Sequence, residues 1–145
     1  MLELTEKLSK PQSSTGVLAL PFEIRQKSRF RAVLVDGRDV AVFIERGSVL
    51  RHGDCLSDSS GEVISVEAAP ERVSTVHANN NAQLARAAYH LGNRHVPLQV
   101  GSGWVRYLAD HVLDGMCEQL GLEVRHEDEP FEPEAGAYGH HHHHE

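Results

Sequence analysis

Thiols are scarce in this chain. Its two cysteines, Cys55 and Cys117, stand far apart in 145 residues. They show no C-x-x-C spacing and no even set of four or six, so neither a thiolate zinc site nor a disulfide framework is signalled, and both read as reduced, ordinary residues. No apolar run approaches the roughly 18 to 20 residues that a membrane span needs. The opening Met1-Leu2-Glu3-Leu4-Thr5-Glu6 is acidic where a secretory signal would be basic. A cytoplasmic protein with no membrane partner is expected. Also missing are G-x-S-x-G, H-E-x-x-H, a glycine-rich phosphate loop, and a cysteine paired with a fitting histidine motif. No enzyme is expected.

Excess positive charge is absent as well. Residues 1–122 carry thirteen Lys and Arg against fourteen Asp and Glu, whereas residues 123–145 carry seven acids against Arg125 alone. The formal charge of -7 therefore belongs to the C-terminal end. An acidic end repels phosphate backbones and the body has no basic stripe to offset it, so nucleic acid is not an expected partner. It would attract cations. What the chain does have is histidine, eleven in all, on a composition of 40% hydrophobic and 24% charged residues that belongs to a globular protein.

The first half reads as a small β domain. Phe30 to Val35 and Val40 to Ile44 are apolar, β-branched runs around Asp36-Gly37, a hairpin signal. Glu62 to Glu67 alternates like a half-buried strand, and Ala68-Ala69-Pro70 reads as a hinge. The second half changes period. A short strand, Arg72 to Val76, leads to Asn79-Asn80-Asn81 as a helix cap, with Leu84, Ala88 and Leu91 on one helical face and Gly92 as the left-handed stop. Two short strands follow, Val96 to Val100 and Trp104 to Tyr107. Leu108, Val112, Met116 and Leu120 then recur every four residues before Gly121, and Leu122 to Arg125 gives a last strand. The order β-α-β-β-α-β is the ferredoxin-like arrangement. The expected fold is α+β: an N-terminal all-β domain over 1–69, a ferredoxin-like domain over 70–127, and a disordered acidic, histidine-rich tail over 128–145.

Three groups of histidines could carry chemistry. The first is the run His140, His141, His142, His143 and His144. Imidazole is the commonest metal-ligating side chain, and a run of it favours Ni, Cu and Zn over Mg or Ca. A purification tag is the competing reading. Against it, the run has five members rather than six, ends on Glu145, and follows Gly136-Ala137-Tyr138-Gly139 with no vector-like linker. The second group is His90 and His95 in Tyr89-His90-Leu91-Gly92-Asn93-Arg94-His95-Val96-Pro97. As structure this is a helix C-terminus, with cations where the dipole favours them. As a site, His95 falls just past the cap, in a turn that another subunit could meet. The third is His111, which can be a boundary histidine hydrogen-bonded to Asp114 or an outward-facing ligand. His52, His77 and His126 read as surface residues.

Gly92-Asn93-Arg94-His95-Val96-Pro97, Asp110-His111-Val112-Leu113 with Met116, and Pro130-Phe131-Glu132-Pro133-Glu134-Ala135-Gly136-Ala137-Tyr138 resemble the UreE family of urease accessory nickel metallochaperones. Arg25-Gln26-Lys27-Ser28-Arg29, Glu45 to Arg51 and Gly53-Asp54 are similar to that family's β domain. The resemblance implies a homodimer paired through the C-terminal domain, with His95 and its symmetry mate sharing a nickel ion. It implies peripheral binding by His111 and further ions on His140 to His144, with Zn or Cu able to occupy the same sites. Its implied partners are the urease-maturation GTPase and apo-urease with its other accessory proteins, and its implied role is delivery of nickel. Some relatives carry a second histidine two positions before the one matching His111. This chain has Ala109 there, which puts a paired peripheral site in doubt. A storage or sensor protein working through the tail alone is the alternative, and a three-ligand zinc hydrolase is a third.

Overall fold

The computed structural model describes residues 1–136 and divides the chain into two compact units, Met1–Ala69 and Pro70–Glu145.

The first unit contains β1 (Leu2–Leu4), β2 (Glu6–Lys7), β3 (Gly16–Leu20), the single helical turn α1 (Phe22–Arg25), β4 (Arg29–Val33), β5 (Asp39–Phe43), β6 (Cys55–Ser57) and β7 (Val63–Ala68). They form a three-stranded sheet, β1-β5-β4, and a four-stranded one, β2-β6-β7-β3. The Asp-Gly signal works as expected: Gly37 takes φ +98°, which an L side chain resists, and β4 and β5 pair antiparallel across it. Alternate apolar residues from both sheets, Leu4, Leu18, Val40, Val42, Ile64 and Val66 among them, meet in one core. Arg25 is fully buried. Its Nε and Nη1 donate to the carbonyls of Leu20 and Leu50, each at 3.1 Å, so the guanidinium is hydrogen-bonded where it leaves water.

The second unit runs β8 (Pro70–His77), α2 (Asn81–Asn93), β9 (Gln99–Gly101), β10 (Trp104–Leu108), α3 (His111–Gln119) and β11 (Glu123–Pro130). Its sheet has the order β11-β8-β10-β9 with every pair antiparallel. That is the ferredoxin-like topology the element order predicts. Ala87 and Leu91 of α2 and Leu113 and Cys117 of α3 pack on Val76, Val105, Tyr107 and Leu122. Gly101 is required by packing, since a Cβ there would collide with the Trp104 ring.

The structure corrects three details of the sequence reading. Gly92 lies inside α2 and does not end it; the helix continues to Asn93 and Arg94 caps it. On α3 the buried residues are Leu113, Asp114 and Cys117, while Val112 is 56% exposed and Leu108 ends β10. The four-residue spacing joined residues of two different elements, so it did not describe one helical face. Finally, β11 reaches Pro130 in an eight-residue ladder with β8, and Phe131 is fully buried, so ordered chain extends past 128. Glu, Asp and Pro lower strand propensity, but here backbone pairing at a sheet edge, where charged side chains face water, outweighs composition. Among the described residues no helix is long and apolar enough to cross a membrane.

Candidate metal centre

The turn that carries His95 is built by the end of α2. Asn80 caps the start of that helix, its side chain accepting the Gln83 N–H at 2.9 Å, and Leu91 anchors the far end in the core. Arg94 N–H then donates to Leu91 O at 3.1 Å and His95 N–H to Gly92 O at 3.0 Å. His95 itself has φ +59°, and among the described residues it is the one non-glycine in the left-handed region. That conformation costs an L-residue about 1 to 2 kcal/mol, and retained backbone strain clusters at functional positions. The left-handed residue expected at Gly92 thus falls three positions later, on the histidine itself. His95 is exposed, as are Asn93, Arg94 and Pro97.

His111 opens α3. Asp110 caps that helix by accepting the N–H groups of Val112 at 2.9 Å and Leu113 at 3.2 Å, which leaves the His111 side chain exposed beside Val112. The bond considered between His111 and Asp114 is not made. Asp114 instead takes Tyr107 Oη–H at 2.6 Å and His126 Nε2 at 2.7 Å. Burial pushes the Asp114 carboxyl up, but the hydrogen bonds from Tyr107 and His126 outweigh it and hold the group below its ordinary value. Burial, with Asp114 alongside, pushes the Tyr107 phenol far above its usual range. Burial likewise raises the Cys117 thiol, which keeps it protonated and a poor metal ligand. His126, read from sequence as a plain surface residue, is therefore a half-exposed partner of a buried carboxylate. Nothing local in the sequence marks that pairing, because strand and helix meet only in the tertiary fold.

Among the described residues, no three His, Cys, Asp or Glu side chains are grouped to hold a metal ion. His95 and His111 are exposed, and neither belongs to a three-ligand group among the described residues. The candidates His140 to His144 lie outside the described residues. Beyond β11, Glu132 N–H donates to Gln99 Oε1 at 2.9 Å and Glu134 N–H to Leu98 O at 2.8 Å. Leu98 is three residues from His95.

A model of the UreE urease accessory protein C-terminal domain matches residues 71–145, and one of the N-terminal domain matches residues 3–69. A urease accessory protein UreE of Alkalilimnicola ehrlichii is 60% identical over 139 residues, covering 96% of this chain and 85% of that relative. One from Pseudomonas putida is 52% identical with 95% and 86% covered, and one from Citrobacter koseri is 50% identical with 99% of each covered. Two domain matches spanning nearly the whole sequence, over a structure with the domain order the sequence predicts, lead to one conclusion: this chain belongs to the UreE urease accessory protein family.

Proposed function

We propose that this chain is a nickel carrier of the cytoplasm that delivers the ion to apo-urease during assembly of its metallocentre, with the urease-maturation GTPase as immediate partner and the other accessory proteins alongside. The observation that carries the reading is His95: an exposed imidazole held on a strained left-handed turn, belonging to no group of three His, Cys, Asp or Glu ligands among the described residues. A two-fold dimer supplies the missing ligand, since the symmetry axis brings the same residue from each copy to one place. Two imidazoles leave coordination positions open to water or to His140 to His144. Such a site holds its ion less firmly than a closed structural zinc site, whose formation releases roughly 10 to 16 kcal/mol. Looseness of that kind lets a carrier give up its cargo.

Chain length supports a contribution from the tail: Leu98 lies at most about 10 Å of chain from His95, and the six residue steps from Glu134 to His140 allow up to about 20 Å. His111 serves as a peripheral ligand on its own, since Ala109 replaces the second histidine. Neutral imidazole is the ligating form, so acid that protonates the ligands opposes nickel uptake.

The test is urease activation by His95→Ala in full-length protein and in protein truncated after Tyr138. The expected result is loss of nickel transfer in the doubly altered chain while the dimer persists. Undiminished activation would overturn the proposal. If truncation alone abolished function and His95→Ala did nothing, the chain would be a storage or sensor protein acting through its tail.

A further inference from the structure

The sheet of the second unit ends on a long strand with a bare side. Its order, β11-β8-β10-β9, leaves two edges, β11 with eight residues and β9 with three. All eight residues of β11 pair with β8 in one unbroken register, so no bulge bends the strand away from a neighbour. Among the described residues, Glu123–Pro130 make no backbone hydrogen bond outside that ladder, and none of the eight is buried. Alternate residues of an antiparallel strand aim both N–H and C=O away from the partner, so about four residues of β11 present unpaired backbone groups to solvent. The strand is also held in place. Asp114 of α3 bonds His126 Nε2 at 2.7 Å, and buried Phe131 fixes the far end.

Proteins blunt an edge of this length with bulges, prolines, a covering segment or charge. Among the described residues β11 uses only charge and its terminal Pro130. Glu123, Glu127, Asp128 and Glu129 stand against Arg125, four acids to one base, a balance of -3. Three of the acids are paired: Glu123 with Arg125 at 2.7 Å, Glu127 with Arg106 at 3.6 Å and Asp128 with Arg72 at 3.5 Å. Glu129 has no ion pair among the described residues, and it lies directly across the ladder from Glu71, a placement in which like charges repel. A second copy offering its own β11 would set acids against acids. A basic strand would meet opposite charge instead.

We propose that the outer edge of β11 docks an extended segment of a partner protein bearing Lys or Arg, which adds to the sheet as a further strand and places a cation beside Glu129. Main-chain hydrogen bonds to the unpaired groups of β11 supply the affinity, and the acids select the charge of the incoming strand. No metal ion takes part in this docking, so it stands or falls separately from the His95 reading.

The experiment is amide hydrogen exchange of the full-length protein, followed by NMR, with capped heptapeptides as probes. One peptide alternates lysine and valine. A second has glutamate for each lysine, and a third keeps the lysines but has proline for each valine, so it cannot pair as a strand. The lysine–valine peptide is expected to slow exchange at alternate amides within Glu123–Glu129 at least about tenfold at ten times its Kd, while the other two leave those amides unchanged. Glu129→Lys is expected to weaken binding of that peptide at least about twofold, the least that follows from exchanging an attractive cross-strand pair for a repulsive one. Protected amides of β8 report that the sheet stays folded in the variant, and the comparison of the three peptides on wild type does not depend on it. Equal binding of the proline peptide would overturn the proposal, because the acids would then attract charge without a strand forming. Equal binding of the glutamate peptide, unchanged binding to Glu129→Lys, or no slowed exchange with the lysine–valine peptide would overturn it too. Protection that appears without peptide and grows with protein concentration would give the edge to a second copy and refute the basic partner.

Discussion

Glycine in place of His95 is expected to stabilise the metal-free protein while removing the nickel site proposed at that residue. His95 is exposed and holds φ +59°. An L side chain in that region costs about 1 to 2 kcal/mol, and glycine adopts it without the cost. Glycine loses more backbone freedom on folding, about 0.5 to 1 kcal/mol, which offsets part of the gain. Because the imidazole faces solvent, little packing is lost. At the middle of both ranges the net effect is a stabilisation of about 0.75 kcal/mol. For a folding unit the size of Pro70–Glu145 that raises Tm by about 3 to 6 °C. The assay is thermal unfolding in chelator at one fixed chain concentration, since melting of the proposed dimer would depend on concentration, beside nickel titration of the same samples. His95→Ala keeps a Cβ on the strained backbone and is the control that loses nickel without gaining stability. His95→Gly melting at or below wild type would refute the argument, as would an equal gain in His95→Ala. The expected pattern is a stability–function trade-off confined to one dihedral angle.

Two further predictions concern the carboxylate between α3 and β11. Tyr107→Phe leaves buried Asp114 with one donor fewer and should lower stability by about 1.5 to 3 kcal/mol in urea unfolding, the value of a hydrogen bond to a charged group, whereas exposed Tyr89→Phe should change nothing measurable. An unchanged Tyr107→Phe midpoint would mean that the bond contributes nothing net. The second follows from the lowered Asp114 carboxyl: a depressed folded value contributes stability above the unfolded value near 3.9 that is lost as pH falls through the folded one. The stability gap between wild type and Asp114→Asn is therefore expected to hold at pH 6 and to shrink below about pH 4. A gap that stays constant to pH 3 would refute the linkage.

Much of this molecule is determined by residues acting over short distances along the chain. The Asp36-Gly37 hairpin, the Asn80 cap and the βαββαβ order each follow from local backbone chemistry that a sequence states directly. His95 stands out locally only as a residue just past a helix end, and its role as a ligand is implied by the family resemblance. Only the tertiary structure decided that the left-handed angle falls on His95 and not on Gly92. The helix end is set jointly by the burial of Leu91 and by the last backbone bonds, and glycine at 92 is tolerated inside it. Only the fold paired Asp114 with Tyr107 and His126, from two strands and a helix, in place of His111 one turn away. And only the fold carried an acidic, proline-rich segment into a strand and then across to Gln99 and Leu98. Composition weighs side chains one at a time; the partners that hold this segment are supplied by distant residues, so they exist only once the sheet has formed.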